Sequence, residues 1–339
     1  VEDSGVGRYV QELAEQGSVD SEGVFTIGWD RAVEKLRTFQ AGDEDAFLLY
    51  LVSAGCAYGA RNISIEDNSK HLKVTMHATY VTEQDIGRGF QSIASGRTDN
   101  QALDLGMGLH GGLRGTVDEV ELLAEHPTLG CFCWRLTRST EKAGPRPAIS
   151  GEPRVTVTFR RKARTRLPVS LWEKLFGSAD SAHGLGGYAG MSGPCRQVDR
   201  RCERSPIPIS INSQLVNRPL VLPHAPVGAV SSSLRGVRIH SARVIKLDHF
   251  DWQGALVFQN GPLHLVVNGV SYPSLKHESL SGTVWAALNR DLSRQRIVED
   301  EKFQKLNQEL EHLVEQMARV EAELLDSGDA QATGGMSVD

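Results

Sequence analysis

The chain is poor in the features that would place it quickly. Its five cysteines, Cys56, Cys131, Cys133, Cys195 and Cys202, are odd in number and scattered. They make no disulfide framework and point to a reducing, cytoplasmic compartment. Aromatic residues are only 6% of the 339 positions, and nowhere do they interleave with a basic patch as single-stranded nucleic acid favours. Neither charge dominates: the net charge is −5 and the pI ≈ 6.2, which argues against a phosphate-binding surface and so against a nucleic-acid partner. The most apolar uncharged run, Ala46–Ala60, is shorter than the roughly 20 residues a membrane helix needs. Trp252–Leu275 is interrupted by Gln, Asn, His and Pro, so it spans no membrane either. No secretion signal opens the sequence, and a start on Val1 fits a fragment, a processed product or an alternative start. No internal repeat is visible.

What is present reads as two α/β units. The expected division is an N-terminal extension (1–24), a first domain (25–177), a Gly-rich linker (178–194), a second domain (195–326) and a disordered tail (327–339). Trp29–Gln40 carries a helical apolar stripe, and Gly42–Asp45 offers caps and negative charge to a second helix running through Ala60. Strands follow at Asn62–Glu66 and His71–His77 around an Asn68-Ser69 turn, then a helix at Thr82–Ala94 and a polar loop at Gly96–Asn100. Asp118–Ala124, Cys131–Leu136 and Arg154–Arg160 read as strands, with Ser139–Pro153 as a long hairpin loop. The second unit begins with a polar helix near Arg196–Arg204 and a strand at Pro206–Asn212 whose prolines favour a sheet edge or a strand start. Further strands fit Gly236–Leu247, Ala255–Phe258, Leu263–Val270 and Gly282–Leu288.

The C-terminal part carries a seam. Phe303, Leu306, Leu310, Leu313, Met317, Val320 and Leu324 alternate spacings of three and four, the pattern of a coiled coil or of a long helix lying in a groove. It serves either self-association as a homodimer through 303–324 or packing against its own second domain.

Chemistry-bearing motifs are few. The basic run Arg160–Arg166 fits a solvated strand end, or less well a nucleic-acid patch. Cys131 and Cys133 would share one sheet face, and with Cys195 and Cys202 they compose at best an ill-spaced four-thiolate zinc site. His183–Gly190 is glycine-rich but lacks a clear strand before it and helix after it, so it reads as a loop rather than a second phosphate site. Ser53, Ser192 and the histidines show no nucleophile–base pattern.

The densest feature is Leu103-Asp104-Leu105-Gly106-Met107-Gly108-Leu109-His110-Gly111-Gly112-Leu113-Arg114. Bare backbone running into a helix can cradle a phosphate; alternatively, the glycines admit a close helix–sheet contact. The order of two helices, hairpin, helix, flexible loop, glycine cluster and strands resembles the ATP-binding domain of the GHKL superfamily, with Gly106–Leu113 and Val117–Leu122 similar to the glycine motif and following strand of HtpG-type heat-shock chaperones. Leu288–Gln295, the strand Leu263–Val270, and the helix-to-strand passage Arg204–Ile209 resemble that chaperone's middle domain.

This resemblance implies an α/β (α+β) fold: a mixed sheet covered by helices on one face, a second middle-domain-like unit and a long C-terminal helix. It implies a nucleotide near Gly106, Gly108, Gly111 and Gly112, with Arg294 at the position of the arginine that reaches the terminal phosphate. The family's water-activating glutamate and Mg²⁺-holding asparagine, however, correspond here to Val52 and Cys56, and its adenine-reading aspartate to Met76. Asp85-Ile86-Gly87-Arg88-Gly89 offers the missing letters later in the chain, inside a predicted helix. A valine accepts no proton and a thiol is a poor ligand for a hard cation. The expectation is therefore a pseudo-ATPase that needs no cofactor and binds a protein partner or client. The alternative is an ATP- and Mg²⁺-binding chaperone-like switch with a rebuilt pocket, in which Gly96–Asp104 closes as a lid.

Overall fold

The computed structural model describes residues 45–95, 101–113, 117–137, 141–146, 151–161, 191–217, 237–241, 244–248, 252–258, 260–291 and 293–326. The expected helix at Trp29–Gln40, the loop at Gly96–Asn100, the basic residues 162–166, the glycine-rich stretch 183–190 and the tail 327–339 lie outside them.

Helix α1 (Phe47–Ala57) is buried along nearly its whole length, from Phe47 through Gly55. A helix that is apolar all round needs cover on every side. The hairpin β1 (Asn62–Asp67) and β2 (His71–His77) supplies one side, because a Cβ on Gly55 would meet Ile63 and Met76. The helix ends in a Schellman motif: Gly59, at φ +75, donates to Cys56 O, and Ala60 donates to Gly55 O. Its start departs from expectation. No side chain caps it, and Asp45 lies instead against Gly193, the first residue of a later helix.

The hairpin turns as predicted, with Asn68 Oδ1 accepting from the amides of Lys70 and His71. Helix α2 (Glu83–Ser95) opens with a reciprocal cap in which Thr82 N donates to Asp85 Oδ2 and Asp85 N to Thr82 Oγ1. Asp85 is therefore a capping residue at the start of the predicted helix, not an adenine-reading aspartate on the hairpin strand. Helix α3 (Gln101–Gly111) follows, so the Gln101–Asp104 part of the expected lid is helical.

Strands β3 (Val117–His126), β4 (Gly130–Thr137), β5 (Glu141–Arg146) and β6 (Arg154–Arg161) complete most of the first sheet. The long loop expected at Ser139–Pro153 thus contains β5. Its Pro145 is tolerated because, among the described strands, β5 pairs with β4 alone, at the sheet edge. After helix α4 (Gly193–Arg201), strand β7 (Ile209–Ile211) runs parallel to β1, with β8 (Gln214–Leu215) outside it. The mixed eight-stranded order is β5-β4-β3-β6-β2-β1-β7-β8. The strand expected at Pro206–Asn212 in the second unit is β7, which joins the first sheet between β1 and β8.

A second sheet comprises β9 (Val237–Ser241), β10 (Val244–Asp248), β11 (Trp252–Phe258), β12 (Gly261–Val267), β13 (Val270–Ser271), β14 (Leu275–His277) and β15 (Leu280–Ala286). Its order is β13-β12-β15-β11-β10-β9, with β14 also on β12. Helix α5 (Glu301–Asp326) starts where Asp300 Oδ1 accepts from Lys302 N and Phe303 N. One contiguous core joins residues of both sheets, α1, α3, α4 and α5. Among the described residues no helix is long and apolar enough to cross a membrane.

Candidate functional site

Gly106, Gly108 and Gly111 sit inside helix α3, and Gly112 lies in the turn that directly follows it. Gly112 N donates to Gly108 O, which continues the helical ladder and leaves that amide unavailable to an anion. Bare backbone is needed for contact: a Cβ on Gly108 would lie 2.5 Å from Leu51 Cδ2 of α1, and one on Gly112 would overlap the Phe159 ring of β6. A Cβ on Gly89 of α2 would press on Ala102 O and the amide of Gly106. Gly111 is buried at the helix end. Close helix–helix and helix–sheet packing is the observed role of this segment.

The same helix carries a side chain that motif reasoning passed over. Asp104 is 0% exposed, and its Oδ2 accepts from Ser53 Oγ of α1 at 2.7 Å and from Arg290 Nη2 at 2.6 Å. Arg290 Nη1 also donates to Ser53 Oγ at 2.8 Å. Arg294 brings its Nε to 3.1 Å from Asp104 Oδ1, close enough for attraction but without an aligned hydrogen bond. Burial works most strongly against the charge on Arg290, yet Asp104 and Tyr272 together outweigh it and hold the guanidinium above its ordinary range. For Arg294 burial wins: its pKa is lowered, with Asp104 opposing and the neighbouring Arg290 adding to the fall.

Both arginines come from one tight loop after β15. Arg290 bridges to Ile297, Asp291 Oδ1 accepts from Gln295 N and Arg296 N, and Arg294 takes a left-handed φ of +56. Tyr50 of α1 donates its hydroxyl to Ser293 O at 2.9 Å, and Tyr272 donates to Arg294 O at 3.1 Å. Side chains from α1, α3 and the segment after β13 therefore surround a non-glycine residue held in a conformation that L-residues rarely adopt.

No protein-family model matches the chain, and no curated protein matches it. The site is therefore read from its own geometry.

That geometry can be tested against Mg²⁺ and ATP, the groups the GHKL resemblance implies. Val52 is fully buried. Gly269, at φ +79 in the β12–β13 turn, sits so close to this face of α1 that a Cβ there would lie 2.5 Å from Cys56 Sγ and 3.6 Å from Val52 Cγ1. Burial pushes the Cys56 thiol up to about 12, so it is protonated at neutral pH and no ligand for a hard cation. Met76 is buried in β2, beneath Gly55. Arg294 is turned onto Asp104 of its own chain. These residues do not fit a metal-bound nucleotide.

The other candidates fall apart spatially. Cys131 and Cys133 are buried on β4, opposite Glu125 and Leu123, whereas Cys195 lies on α4 beside Asp67 of β1. Strands β4 and β1 are four positions apart in the sheet, roughly 19 Å. Among the described residues no group of three or more His, Cys, Asp or Glu is placed to hold a metal. Arg160 and Arg161 end β6 and pair with Glu119 and Asp67.

Of the C-terminal seam, Phe303, Leu306, Leu310 and Leu313 are buried within the single chain. They belong to the chain's own hydrophobic core. The side chains of Met317, Val320 and Leu324 lie outside the described residues. Between α5 and the sheet a cleft of ≈ 290 Å³ is lined by Trp252, Ala287, Leu288, Leu306, Lys302 and Lys305, among others.

Proposed function

We propose that the chain is a noncatalytic, GHKL-like interaction module, a pseudo-ATPase whose nucleotide-facing surface is held shut by its own second sheet and arginine loop. The observation that carries the reading is the pairing of Asp104 with Arg290 and Arg294. An arginine meant to meet a phosphate must present its charge to that phosphate, and here Arg294 lies against an internal carboxylate at 4% exposure. The burial of Val52, close to Gly269 of the β12–β13 turn, supports the same reading.

Binding is then the function left to the module, with a protein as partner. The cleft beside α5 suits an apolar side chain of such a partner. Five free thiols support a cytoplasmic setting. Equilibrium dialysis of the full chain against labelled ATP with Mg²⁺, together with phosphate release, tests the proposal. The reading expects no saturable binding up to millimolar nucleotide and no turnover. Micromolar binding accompanied by phosphate release would reverse it in favour of the rebuilt-pocket switch.

A further inference from the structure

Three connections between strands are closed in the same way, by one side-chain atom that accepts the amides two and three residues further on. After β1 that atom is Asn68 Oδ1, which takes Lys70 N at 2.9 Å and His71 N at 3.0 Å. After β3 it is His126 Nδ1, with Thr128 N at 3.2 Å and Leu129 N at 3.0 Å. Between β14 and β15 it is His277 Nδ1, with Ser279 N at 3.1 Å and Leu280 N at 3.2 Å. The segments His126-Pro127-Thr128-Leu129 and His277-Glu278-Ser279-Leu280 share a histidine, a hydroxyl residue and a leucine at the same spacing.

An amide oxygen accepts at every pH, but an imidazole nitrogen accepts only while it carries no proton. In both turns the ring is therefore neutral with its proton on Nε2, and an imidazolium would set a third donor against two amide protons. The two turns are unequal. Leu129 is 68% exposed, whereas Leu280 is 0% exposed and the His277 ring 16%, so the His277 turn decides how a core residue enters β15. His277 Nε2 lies 3.6 Å from Glu311 Oε1 of α5. Its chain neighbours Lys276 and Glu278 are exposed, and β12 meets β14 with Gly261, Pro262 and Leu263, none of which titrates. His126 stands against the Tyr80 ring at 5.2 Å and opposite Gly130, which precedes Cys131 on β4; it follows Glu125, whose carboxylate is turned onto Arg154.

We propose that His277, with His126 as its weaker counterpart, is a proton-operated latch: the neutral ring closes the turn into β15, and uptake of one proton opens that turn and leaves the ring to Glu311 of α5. The fold closes its first turn with Asn68, so a histidine is not needed for the shape; what it adds is a response between about pH 8 and pH 5. Glu311 welcomes charge on the ring while the two amides at Nδ1 oppose it, so the proton moves the ring from one partner to the other. Because the open turn binds the proton and the closed one does not, acid favours opening. Neither histidine belongs to the Asp104 cluster, and the latch does not depend on whether nucleotide binds.

The test uses the full chain. Imidazole ¹⁵N NMR at about pH 8 is expected to show an unprotonated Nδ1 in both rings, assigned by their loss in His277→Asn and His126→Asn. Amide exchange followed by mass spectrometry, corrected for the intrinsic rate, should show the protection of Ser279 and Leu280 falling roughly tenfold between about pH 8 and about pH 5, as two hydrogen bonds are lost. The fall at Thr128 and Leu129 should be smaller. His277→Asn keeps an acceptor at the Nδ1 position without a titrating group, so it should retain the protection at both pH values. His277→Gln, whose oxygen reaches past that position, should lack it at both. Constant protection of Ser279 and Leu280 in the wild type would overturn the proposal. So would an equal acid loss in His277→Asn, since the responding group would then lie elsewhere. A proton on His277 Nδ1 at about pH 8 would overturn it without any variant.

Discussion

Arg290 Nη2 stands 2.6 Å from Asp104 Oδ2 across 186 residues of sequence, and this contact ties the loop after the second sheet to a helix of the first. Removing one partner of a buried, hydrogen-bonded ion pair leaves the other charge uncompensated, typically at a cost of about 3–5 kcal/mol. Asp104→Asn should therefore lose stability of that order in urea unfolding. It leaves two guanidiniums facing a neutral amide. Stability within about 0.5 kcal/mol of the wild type, the range of an ordinary surface change, would remove the clasp from the account.

Glycines in the described helices divide by what surrounds them. Ala is favoured over Gly in a helix by roughly 0.5–1 kcal/mol, and at Gly87 of α2 a Cβ meets nothing within 4 Å. Gly87→Ala should raise stability by that amount. Gly108→Ala should lower it, because the new Cβ would stand 3.2 Å from the Leu51 amide as well as pressing on its side chain. Equal gains at both positions would show that α1 and α3 are not in close contact.

Asp67 supplies the pH dependence. Burial opposes its charge, but hydrogen bonds from Ser192 and the Arg161 guanidinium prevail and hold its pKa below the ordinary value of 3.8. A carboxylate with a depressed folded pKa contributes stability that is present above its unfolded pKa and is lost as pH falls through the folded one. The Tm gap between wild type and Asp67→Asn should be full at neutral pH and shrink only below about pH 4. A gap that is constant across the acid range would assign it to packing.

At α5, packing and self-association are separable by experiment. Leu310 is 1% exposed within the single chain, so Leu310→Ala should cost about 2–5 kcal/mol. Sedimentation should give the same mass for variant and wild type. A change of mass with no change of melting temperature would return the buried half of the seam to an intermolecular role.

Much of the architecture is legible in the residues because its signals are local. Alternation marks β3, β4 and β6, the Asn68 turn marks the hairpin, and the continuous apolar run of α1 marks a helix with cover on every side. Prolines masked β5, since an edge strand tolerates what an inner strand does not. The acidic run before α1 promised a cap, but the Asp45 carboxylate lies against Gly193 of α4, a neighbour only after folding. The parallel pairing of Ile63–Ile65 with Ile209–Ile211 is equally non-local. At the site, the glycine spacing reads the same for a phosphate cradle and for a helix in close contact, and only the position of Leu51 separates the two. Asp104 did leave a trace: a lone acid within Leu103–Leu109 requires a buried cation somewhere, and Arg290 is that cation.

The central claim, that the chain's own second sheet keeps the α1 face shut, is most directly read at Cys56. Alkylation of the native protein, resolved by mass spectrometry, should find the half-buried Cys56 slow and its rate unchanged by Mg²⁺ and ATP, with the fully buried Cys202 slower still and both fast after denaturation. Rapid labelling of Cys56 in the native chain, or its acceleration by nucleotide, would mean that the face opens and would contradict the account.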